Sequence, residues 1–256
     1  VCLMGGLGNQ LFQYAFARYL VSQGVAVSGL VTNLFERDGY ARQSHVQAFS
    51  RIPAARLSKD ELATLQILAD NDGMAVRDAL LHGVRTNVVC RGYWQDAVHA
   101  NAVAAELAGD LQAYGERNFP AASEVECVVH VRRHEYGHHG LLPFAYYQAA
   151  LAHCGSPQFT VVTDEPNFCD YVFKSVAGYA GVAPGDINDP WGDFFRLSKA
   201  RVQIIANSTF SWWSAWLGRA TGATTTVIAP AEWSLITGSN PCPGDWRRID
   251  TLLVRP

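Results

Sequence analysis

Two overlapping patterns that could do chemistry share the segment VVHVRRHEYGHHG, residues 128–140. HEYGH, residues 134–138, matches H-E-x-x-H, in which two histidines one helical turn apart hold zinc and the glutamate acts as a base. H-x-R-R, residues 130–133, places two guanidinium groups at the end of an apolar run, and such groups match phosphate oxygens in a bidentate way. The first pattern predicts a metallopeptidase and the second predicts an anion-binding site.

The zinc pattern is poorly supported by its own neighbourhood. A zinc pair with this spacing needs a helix, but Gly137 lies inside the motif and Gly140 follows it. The preceding residues VECVVHV alternate like a strand, and Leu141 and Phe144 stand where a longer peptidase pattern needs glycine and histidine. The residues therefore favour a histidine-rich loop after a strand, with a zinc peptidase as the minor alternative.

The arginine pair, Arg132 and Arg133, ends that strand at the edge where open α/β sheets bind their ligands. Adjacent strand residues point to opposite faces, so one arginine would reach a ligand and the other would brace the loop. From the residues alone, an ordinary pair of salt bridges at a strand end is an equally good interpretation.

A second anion-binding pattern is IIANSTFSWWSAWL, residues 204–217, which predicts a strand, a turn and a helix. Asn207 or Ser208 would cap this helix, and Thr209 and Ser211 add hydroxyl groups in its first turn. Backbone N–H groups and the helix dipole make such a turn a natural phosphate site. A cap alone needs fewer hydroxyl groups than this, whereas the tryptophans that follow are predicted to be core residues.

GGLGNQ, residues 5–10, predicts a glycine-rich turn between a short strand and a helix. It is not the dinucleotide-binding fingerprint, because Leu11 stands where the third glycine would be. Gly6 and Gly8 would still let a ligand approach the backbone closely, although a tight turn alone explains them equally well.

DND, residues 70–72, has the form of the D-x-D motif that holds a metal together with a nucleotide sugar. Such carboxylates need a strand end, but these follow the helix predicted for LATLQILA, residues 62–69. A solvated helix end is therefore the preferred interpretation.

The elements that must position these residues alternate between strands and helices. The alternation begins twice, which predicts parallel sheets in an α/β protein. We expect two Rossmann-like domains, residues 1–122 and 123–256, joined near 115–123. Within the first domain, residues 58–69 are predicted to form one helix that opens with a capping box at Ser58.

The composition excludes several classes of protein. A net charge of −3 over 256 residues provides no global basic field, so no nucleic-acid partner is expected. Six cysteines without a C-x-x-C pair favour a reducing compartment over a disulfide framework. No apolar run is long enough to span a membrane and no signal-peptide pattern is present, so the predicted location is cytoplasmic. Whether residues precede Val1 stays open.

Four segments together resemble one family: GGLGNQLFQYAFARYL, RGYWQ, VVHVRRHEY and IIANSTFSWWSAWL, in this order and spread along nearly the whole chain. They look like the α-1,2-fucosyltransferases of glycosyltransferase family 11. The resemblance implies a GT-B fold, in which two Rossmann-like domains face each other across a cleft. The first domain would bind the acceptor and the second the donor.

The same resemblance implies an activity. L-Fucose would move from GDP-β-L-fucose to the 2-hydroxyl of a terminal β-galactoside in an oligosaccharide or glycolipid, with inversion. GDP-fucose would be a co-substrate, and no cofactor and no metal would be needed. The enzyme would be of the bacterial type that builds a surface glycan, and peripheral association with a membrane stays an open alternative.

The resemblance also implies roles for individual residues. Arg132 would stabilise the charge on the leaving phosphate, Asn9 would face the reacting sugar, and Glu135 would be the candidate base. Asp193 would read the guanine, with His130 nearby. The full donor-binding set implied by the family motifs is His130, Arg132, Arg133, Asp193, Asn207, Ser208, Thr209, Phe210, Ser211, Gly6 and Gly8.

The chain departs from the family pattern at one turn. The family reads H-x-R-R-G-D-Y, whereas this chain has His134 and Glu135 in place of the glycine and the aspartate. The first change removes a glycine from the turn, and the second lengthens the carboxylate side chain by one methylene. A fucosyltransferase of another linkage and a nucleotide-sugar-binding protein without catalysis therefore stay as alternatives.

Overall fold

The computed structural model describes residues 1–69, 73–83, 87–120, 125–134, 139–185, 189–236 and 240–255, with the backbone alone at 73–77. The chain divides into two compact units, Val1–Tyr114 and Gly115–Pro256. The domain boundary predicted after residue 122 falls outside the described ranges and stays a prediction. Among the described helices, none is both long and apolar enough to cross a membrane.

The first unit contains parallel strands on both sides of its amino-terminal residues. Cys2 pairs in parallel with Val31, and its N–H donates to the Cys90 carbonyl at 2.8 Å, so residues 1–3 lie between two strand pairs. These pairs are β1 (Leu30–Val31) with β2 (Ala54–Ala55), and β3 (Gln66–Ala69) with β4 (Val88–Arg91). The helices of residues 1–118, in chain order, are α1 (Leu7–Ser22), α2 (Lys59–Thr64), α3 (Gly73–His82), α4 (Ala97–Ala102) and α5 (Ala104–Asn118), with 3-10 turns at Asn33–Arg37 and Val46–Ala48. The last four residues of α5 belong to the second unit.

Helix α1 is almost entirely buried, and two glutamines tie it to its surroundings. Gly5 precedes it at a φ of 76°, and a Cβ there would lie 2.7 Å from the Asn9 side chain, so glycine is required. Gln10 Nε2 donates to the Gly5 carbonyl at 2.9 Å, and Gln13 Nε2 donates to the Gly92 carbonyl at 3.0 Å. The two glutamines thereby hold the turn before α1 and the loop after β4.

The single helix predicted for residues 58–69 is wrong in its second half. The capping box at Ser58 forms, but α2 stops at Thr64. Gln66–Ala69 instead forms β3, which pairs in parallel with β4. A helix as short as this one gains little stability by itself, so the pairing with β4 decides the structure of these residues. The D-x-D motif therefore follows a strand and not a helix, although residues 70–72 lie outside the described ranges.

The second unit is built on a six-stranded sheet whose strands are all parallel, in the order β10-β9-β8-β5-β6-β7. The strands are β5 (Val125–Val131), β6 (Phe159–Thr163), β7 (Tyr179–Val182), β8 (Ala200–Ile204), β9 (Thr226–Pro230) and β10 (Arg247–Ile249). The helices are α6 (Phe144–His153), α7 (Pro166–Phe173), α8 (Pro190–Ser198) and α9 (Thr209–Thr221). The predicted α/β class with a parallel sheet is confirmed.

The strand order of this sheet locates its binding edge. From β5 the chain adds β6 and β7 on one side, and then crosses over to add β8, β9 and β10 on the other side. The winding therefore reverses between β5 and β8. In open parallel sheets, the crevice at the carboxyl ends of two such strands is where ligands bind.

Candidate active site

The structure brings two of the predicted anion-binding segments to that crevice. Arg132 and Arg133 directly follow β5, whereas Asn207 and Ser208 lie in the turn between β8 and α9. Because β5 and β8 are neighbours in the sheet, the two segments share one edge of the second unit. The sequence motifs did not show this proximity, since they are far apart along the chain.

His130 lies in β5 just before the arginines and is only 4% exposed. Its ring centroid is 5.6 Å from that of Phe210, in the first turn of α9. Its Nδ1 atom is buried and has no hydrogen-bond partner among the described residues. Burial in the first place, and then the charge of Arg132, lowers the pKa of His130 to about 3, so the ring is neutral at pH 7. A ligand that bonds Nδ1 would relieve an unfavourable buried polar atom.

The turn after β5 is organised by Asp164, a residue that no motif singled out. Asp164 directly follows β6, the other neighbour of β5. Its Oδ1 accepts the backbone N–H of Arg133 at 3.0 Å, and its Oδ2 accepts that of His134 at 2.9 Å. Oδ2 also lies 3.0 Å from Arg132 Nη1. One carboxylate thus holds both the backbone of the turn and the guanidinium of Arg132. In the sequence, Asp164 could have been found as an acidic residue directly after an apolar strand.

Arg133 packs against the start of α7. Its guanidinium carbon lies 3.9 Å from the centroid of the Phe168 ring, and its Nε lies 3.5 Å from Glu165 Oε2. The side chains of Arg132 and Arg133 remain 32% and 29% exposed. Both arginines therefore make the salt bridges of the alternative interpretation, and each still presents part of its side chain to a ligand.

The turn before α9 differs from the predicted cap. Ser208 occupies the N-cap position, but its hydroxyl makes no capping hydrogen bond. The Ser211 hydroxyl is fully buried and donates to the carbonyls of Ala206 at 3.3 Å and Ser208 at 3.2 Å, so it stabilises the turn from inside. The N–H groups of a helix's first turn have no acceptor within that helix. The turn can therefore offer an anion the Ser208 hydroxyl and the backbone of residues 209–211, but not the Ser211 hydroxyl as arranged here.

The Asn207 side chain forms hydrogen bonds with two neighbouring loops at this edge. Its Nδ2 donates to the Gly140 carbonyl at 3.0 Å and to the Trp233 carbonyl at 3.1 Å. The residue is 2% exposed, and its Oδ1 has no hydrogen-bond partner among the described residues. The amide nitrogen is thus used within the protein, and the oxygen is the atom that remains for a ligand.

Asp193 lies in the first turn of α8, where its Oδ1 accepts a hydrogen bond from Arg196 Nη1 at 2.9 Å. A Cβ at Gly185 would lie 2.8 Å from Asp193 Oδ2, so the chain passes very close to the carboxylate. The next residue, Phe194, packs against Phe210 of α9 with ring centroids 5.9 Å apart. The packing of α8 on α9 thus places Asp193 on the side of the sheet where His130 meets Phe210, and its guanine contact stays a prediction.

In the first unit, the GGLGNQ turn opens α1. Gly6 is the N-cap residue, and a Cβ there would meet nothing within 4 Å, whereas Gly8 is buried in the first helical turn. Asn9 Oδ1 accepts a hydrogen bond from Gln95 Nε2 at 3.0 Å, which connects the turn to the loop after β4. Gln95 belongs to the RGYWQ motif, whose spacing gave no indication of this contact.

The HEYGH segment is described only at its first residue. His134 lies in a turn after β5, with its N–H bonded to Asp164. Residues 135–138, which include the candidate base Glu135, lie outside the described ranges. Across the described ranges, no group of three or more His, Cys, Asp and Glu side chains is placed to hold a metal ion. The zinc and base interpretations both stay predictions.

Sequence comparison identifies relatives of this chain. The sequence model of Glycosyl transferase family 11 matches residues 77–236. The O-antigen biosynthesis glycosyltransferase WbnK of Escherichia coli is 25% identical, and the alignment covers 91% of this chain and 93% of that protein. An alpha-1,2-colitosyltransferase of Escherichia coli is 24% identical, with 97% of each chain covered.

Structural comparison shows the fold. The Escherichia coli heptosyltransferase WaaC, solved with ADP, is similar with a TM-score of 0.50 and 10% identity, over 97% of this chain and 92% of that one. This likeness confirms the predicted α/β fold of the GT-B type. The family match covers more than half of the chain and contains the arginine turn, Asp164 and the turn before α9. On that match, the chain belongs to glycosyltransferase family 11.

Proposed function

We propose that this protein is an inverting galactoside α-1,2-fucosyltransferase, which moves L-fucose from GDP-β-L-fucose to the 2-hydroxyl of a terminal β-galactoside. A family 11 glycosyltransferase needs a nucleotide-sugar donor and a glycan acceptor. The four sequence motifs support fucose as the sugar and α-1,2 as the linkage. The observation that carries the proposal is the shared edge of β5 and β8, where Arg132 and the turn before α9 can both meet a diphosphate.

In the proposed reaction, the galactose 2-oxygen attacks the anomeric carbon of fucose while the bond from that carbon to the β-phosphate oxygen breaks. The product is an α-fucoside, GDP leaves with the bonding electrons, and the hydroxyl proton passes to a base. Negative charge therefore grows on the β-phosphate in the transition state. The Arg132 guanidinium and the N–H groups at the start of α9 stabilise this charge, and in this mechanism they take the place of a metal ion.

His130 is suited to recognition and not to proton transfer. Its neutral ring can form a hydrogen bond through Nδ1 with the nucleotide, and a pKa of about 3 leaves it unprotonated throughout the neutral range. The proton of the acceptor hydroxyl falls to Glu135 in this proposal, while Asn9 orients the sugar. Asp193, whose neighbour Phe194 packs against Phe210, reads the guanine.

The proposal is tested by incubating the protein with GDP-fucose and a panel of terminal β-galactosides, with and without EDTA, and determining the product linkage by NMR. We expect an α-1,2-fucosylated product in equal yield under both conditions. A different linkage would contradict the assignment of the 2-hydroxyl. Complete loss of transfer with EDTA would contradict the metal-independent mechanism, and nucleotide binding without any donor turnover would favour a non-catalytic protein.

A second donor is favoured by the similarity to an alpha-1,2-colitosyltransferase. Colitose is L-fucose without its 3-hydroxyl, so the two donors differ by one hydrogen-bonding group. A site that binds a substrate hydroxyl rejects the analogue lacking it by about 10⁴–10⁵ in kcat/KM, whereas an apolar pocket discriminates far less. The ratio of kcat/KM for GDP-fucose and GDP-colitose with one acceptor therefore decides which sugar the site is built for.

A further inference from the structure

The loop after β4 contains a strained tryptophan that is held in place by the interior of the first unit. Trp94 has a φ of 53°, a left-handed conformation that a bulky residue rarely adopts. Its side chain is 1% exposed and stacks on Phe16 of α1, with ring centroids 4.1 Å apart and an interplanar angle of 7°. Packing against α1 offsets the strain, and such strain is found most often where a loop has a function.

With the Trp94 side chain buried, the residues on either side of it in the loop, Tyr93 and Gln95, point outward. Tyr93 is 44% exposed, and Gln95 is exposed as well. Gln95 Nε2 donates to Asn9 Oδ1 at 3.0 Å, and the Gly92 carbonyl accepts a hydrogen bond from Gln13 at 3.0 Å. The loop is therefore fixed at both ends, and its exposed residue Gln95 meets the turn that opens α1.

Tyr93, Gln95 and Asn9, which we call the Tyr93 platform, combine an aromatic ring with two side-chain amides. The platform lies just after the carboxyl end of β4 and just after residues 1–3, which bond to β4 and pair in parallel with β1. This is the edge at which parallel strands bind ligands. An aromatic face packs against the C–H face of a sugar ring, and amides both donate to and accept from hydroxyl groups. These are the groups that a neutral polyhydroxylated ligand requires.

We infer that the Tyr93 platform binds the terminal sugar of the acceptor glycan, with the sugar ring against Tyr93 and its hydroxyl groups on Gln95 and Asn9. The assignment of this sugar as the acceptor rests on the proposed function. The phosphate-binding features, the arginine turn and the start of α9, belong to the second unit. The platform in the first unit is uncharged, which suits a sugar without a phosphate.

The kinetic test is the variant Tyr93→Ala, with separate KM values for donor and acceptor. We expect the acceptor KM to rise about tenfold, because the sugar loses one aromatic contact. The donor KM and the melting temperature should not change, because the side chain removed lies on the surface of the first unit. Tyr93→Trp keeps an aromatic face and restores the acceptor KM. Tyr171→Ala, in which a tyrosine that is 71% exposed on α7 is removed, serves as the matched control and leaves both KM values unchanged.

A binding measurement separates this inference from the proposed function. Saturation-transfer difference NMR of methyl glycosides in the presence of GDP detects sugar binding without any transfer. If the protein transfers no fucose but a methyl glycoside gives signals that Tyr93→Ala abolishes, the proposed function fails and the platform stands. Unchanged signals in Tyr93→Ala, no signal from any methyl glycoside with the wild-type protein, or a rise in the donor KM alone would each overturn the platform.

Discussion

The carboxylate of Asp164 lies 3.0 Å from Nη1 of Arg132 and also accepts hydrogen bonds from the backbone N–H groups of Arg133 and His134. Asp164 comes from the end of β6 and Arg132 from the end of β5, so the contact joins two neighbouring strands. The position of the guanidinium therefore depends on a residue that need not touch the substrate.

We expect Asp164→Asn to lower kcat by about ten- to a hundredfold, because a small misplacement of a charge-stabilising group costs this much in rate. Asparagine is nearly the same size, but it loses the negative charge and turns an N–H group toward donors. The measurement is kcat with saturating donor and acceptor, with the melting temperature recorded alongside. Asp170→Asn is the control, because Asp170 is exposed and accepts a hydrogen bond from the Tyr179 hydroxyl instead.

A double-mutant cycle shows whether Asp164 acts through Arg132. If it does, Asp164→Asn changes nothing further once Arg132 is alanine, since residues in contact are not additive. Rate losses that multiply in the double variant would show that Asp164 acts independently of Arg132.

Arg132→Ala is expected to lower kcat by about 10²–10³, the usual cost of removing one donor to a developing negative charge, while the fold stays intact. Arg133→Ala should lower stability by about 0.5–1 kcal/mol, because its stacking on Phe168 is lost, and should reduce kcat less. Steady-state kinetics and urea unfolding of both variants test the pair. Wild-type activity in Arg132→Ala would contradict the role assigned to Arg132. A larger rate loss in Arg133→Ala would exchange the roles of the two arginines.

The lowered pKa of His130 predicts that the protein becomes less stable as the pH falls. Its pKa in the folded protein, about 3, lies below the value near 6.5 expected for the unfolded chain, so between these values only the unfolded chain binds the proton. The full stability contributed by the neutral ring is present above pH 6.5. As the pH falls toward 3, the free energy of unfolding decreases by up to about 1.4 kcal/mol per pH unit. Urea unfolding between pH 4.5 and 7.5 should show a shallower pH dependence in His130→Gln. Parallel curves for wild type and His130→Gln would contradict the lowered pKa of His130.

Two helical glycines predict opposite effects on stability. A Cβ at Gly218 of α9 would lie 2.6 Å from the Ser198 carbonyl oxygen and would collide with the Thr224 hydroxyl, so Gly218→Ala should destabilise the protein by about 1–3 kcal/mol. A Cβ at Gly192 of α8 meets nothing within 4 Å, so Gly192→Ala should stabilise it by about 0.4–1 kcal/mol. Thermal unfolding of the two variants provides the comparison, and equal shifts in melting temperature would contradict it.

Local sequence was sufficient for elements whose pattern is strong over many residues. The alternation of strands and helices in the second unit, α1 after its glycine turn and the buried tryptophans of α9 follow from periodicity and turn residues. The sequence did not predict α7, β7 or β10. Gln66–Ala69 shows the limit, because its residues suit a helix and a strand equally, and pairing with β4 selected the strand. The arginine turn was recognisable for a similar reason, since its chemistry is concentrated in adjacent residues.

The amino-acid sequence by itself determined which groups are available for chemistry: two arginines after an apolar strand, a hydroxyl-rich turn before a helix, and a glycine-rich turn near the start. Only the tertiary structure decided which of them meet. The order of strands in the sheet puts β6 beside β5, which brings Asp164 to Arg132, and it puts β8 on the other side, which brings Asn207 and Ser208 to the same edge. It also turned the Ser211 hydroxyl inward and joined Gln95 to Asn9. Strand order results from burial and pairing across the whole sheet, so no local pattern contains it.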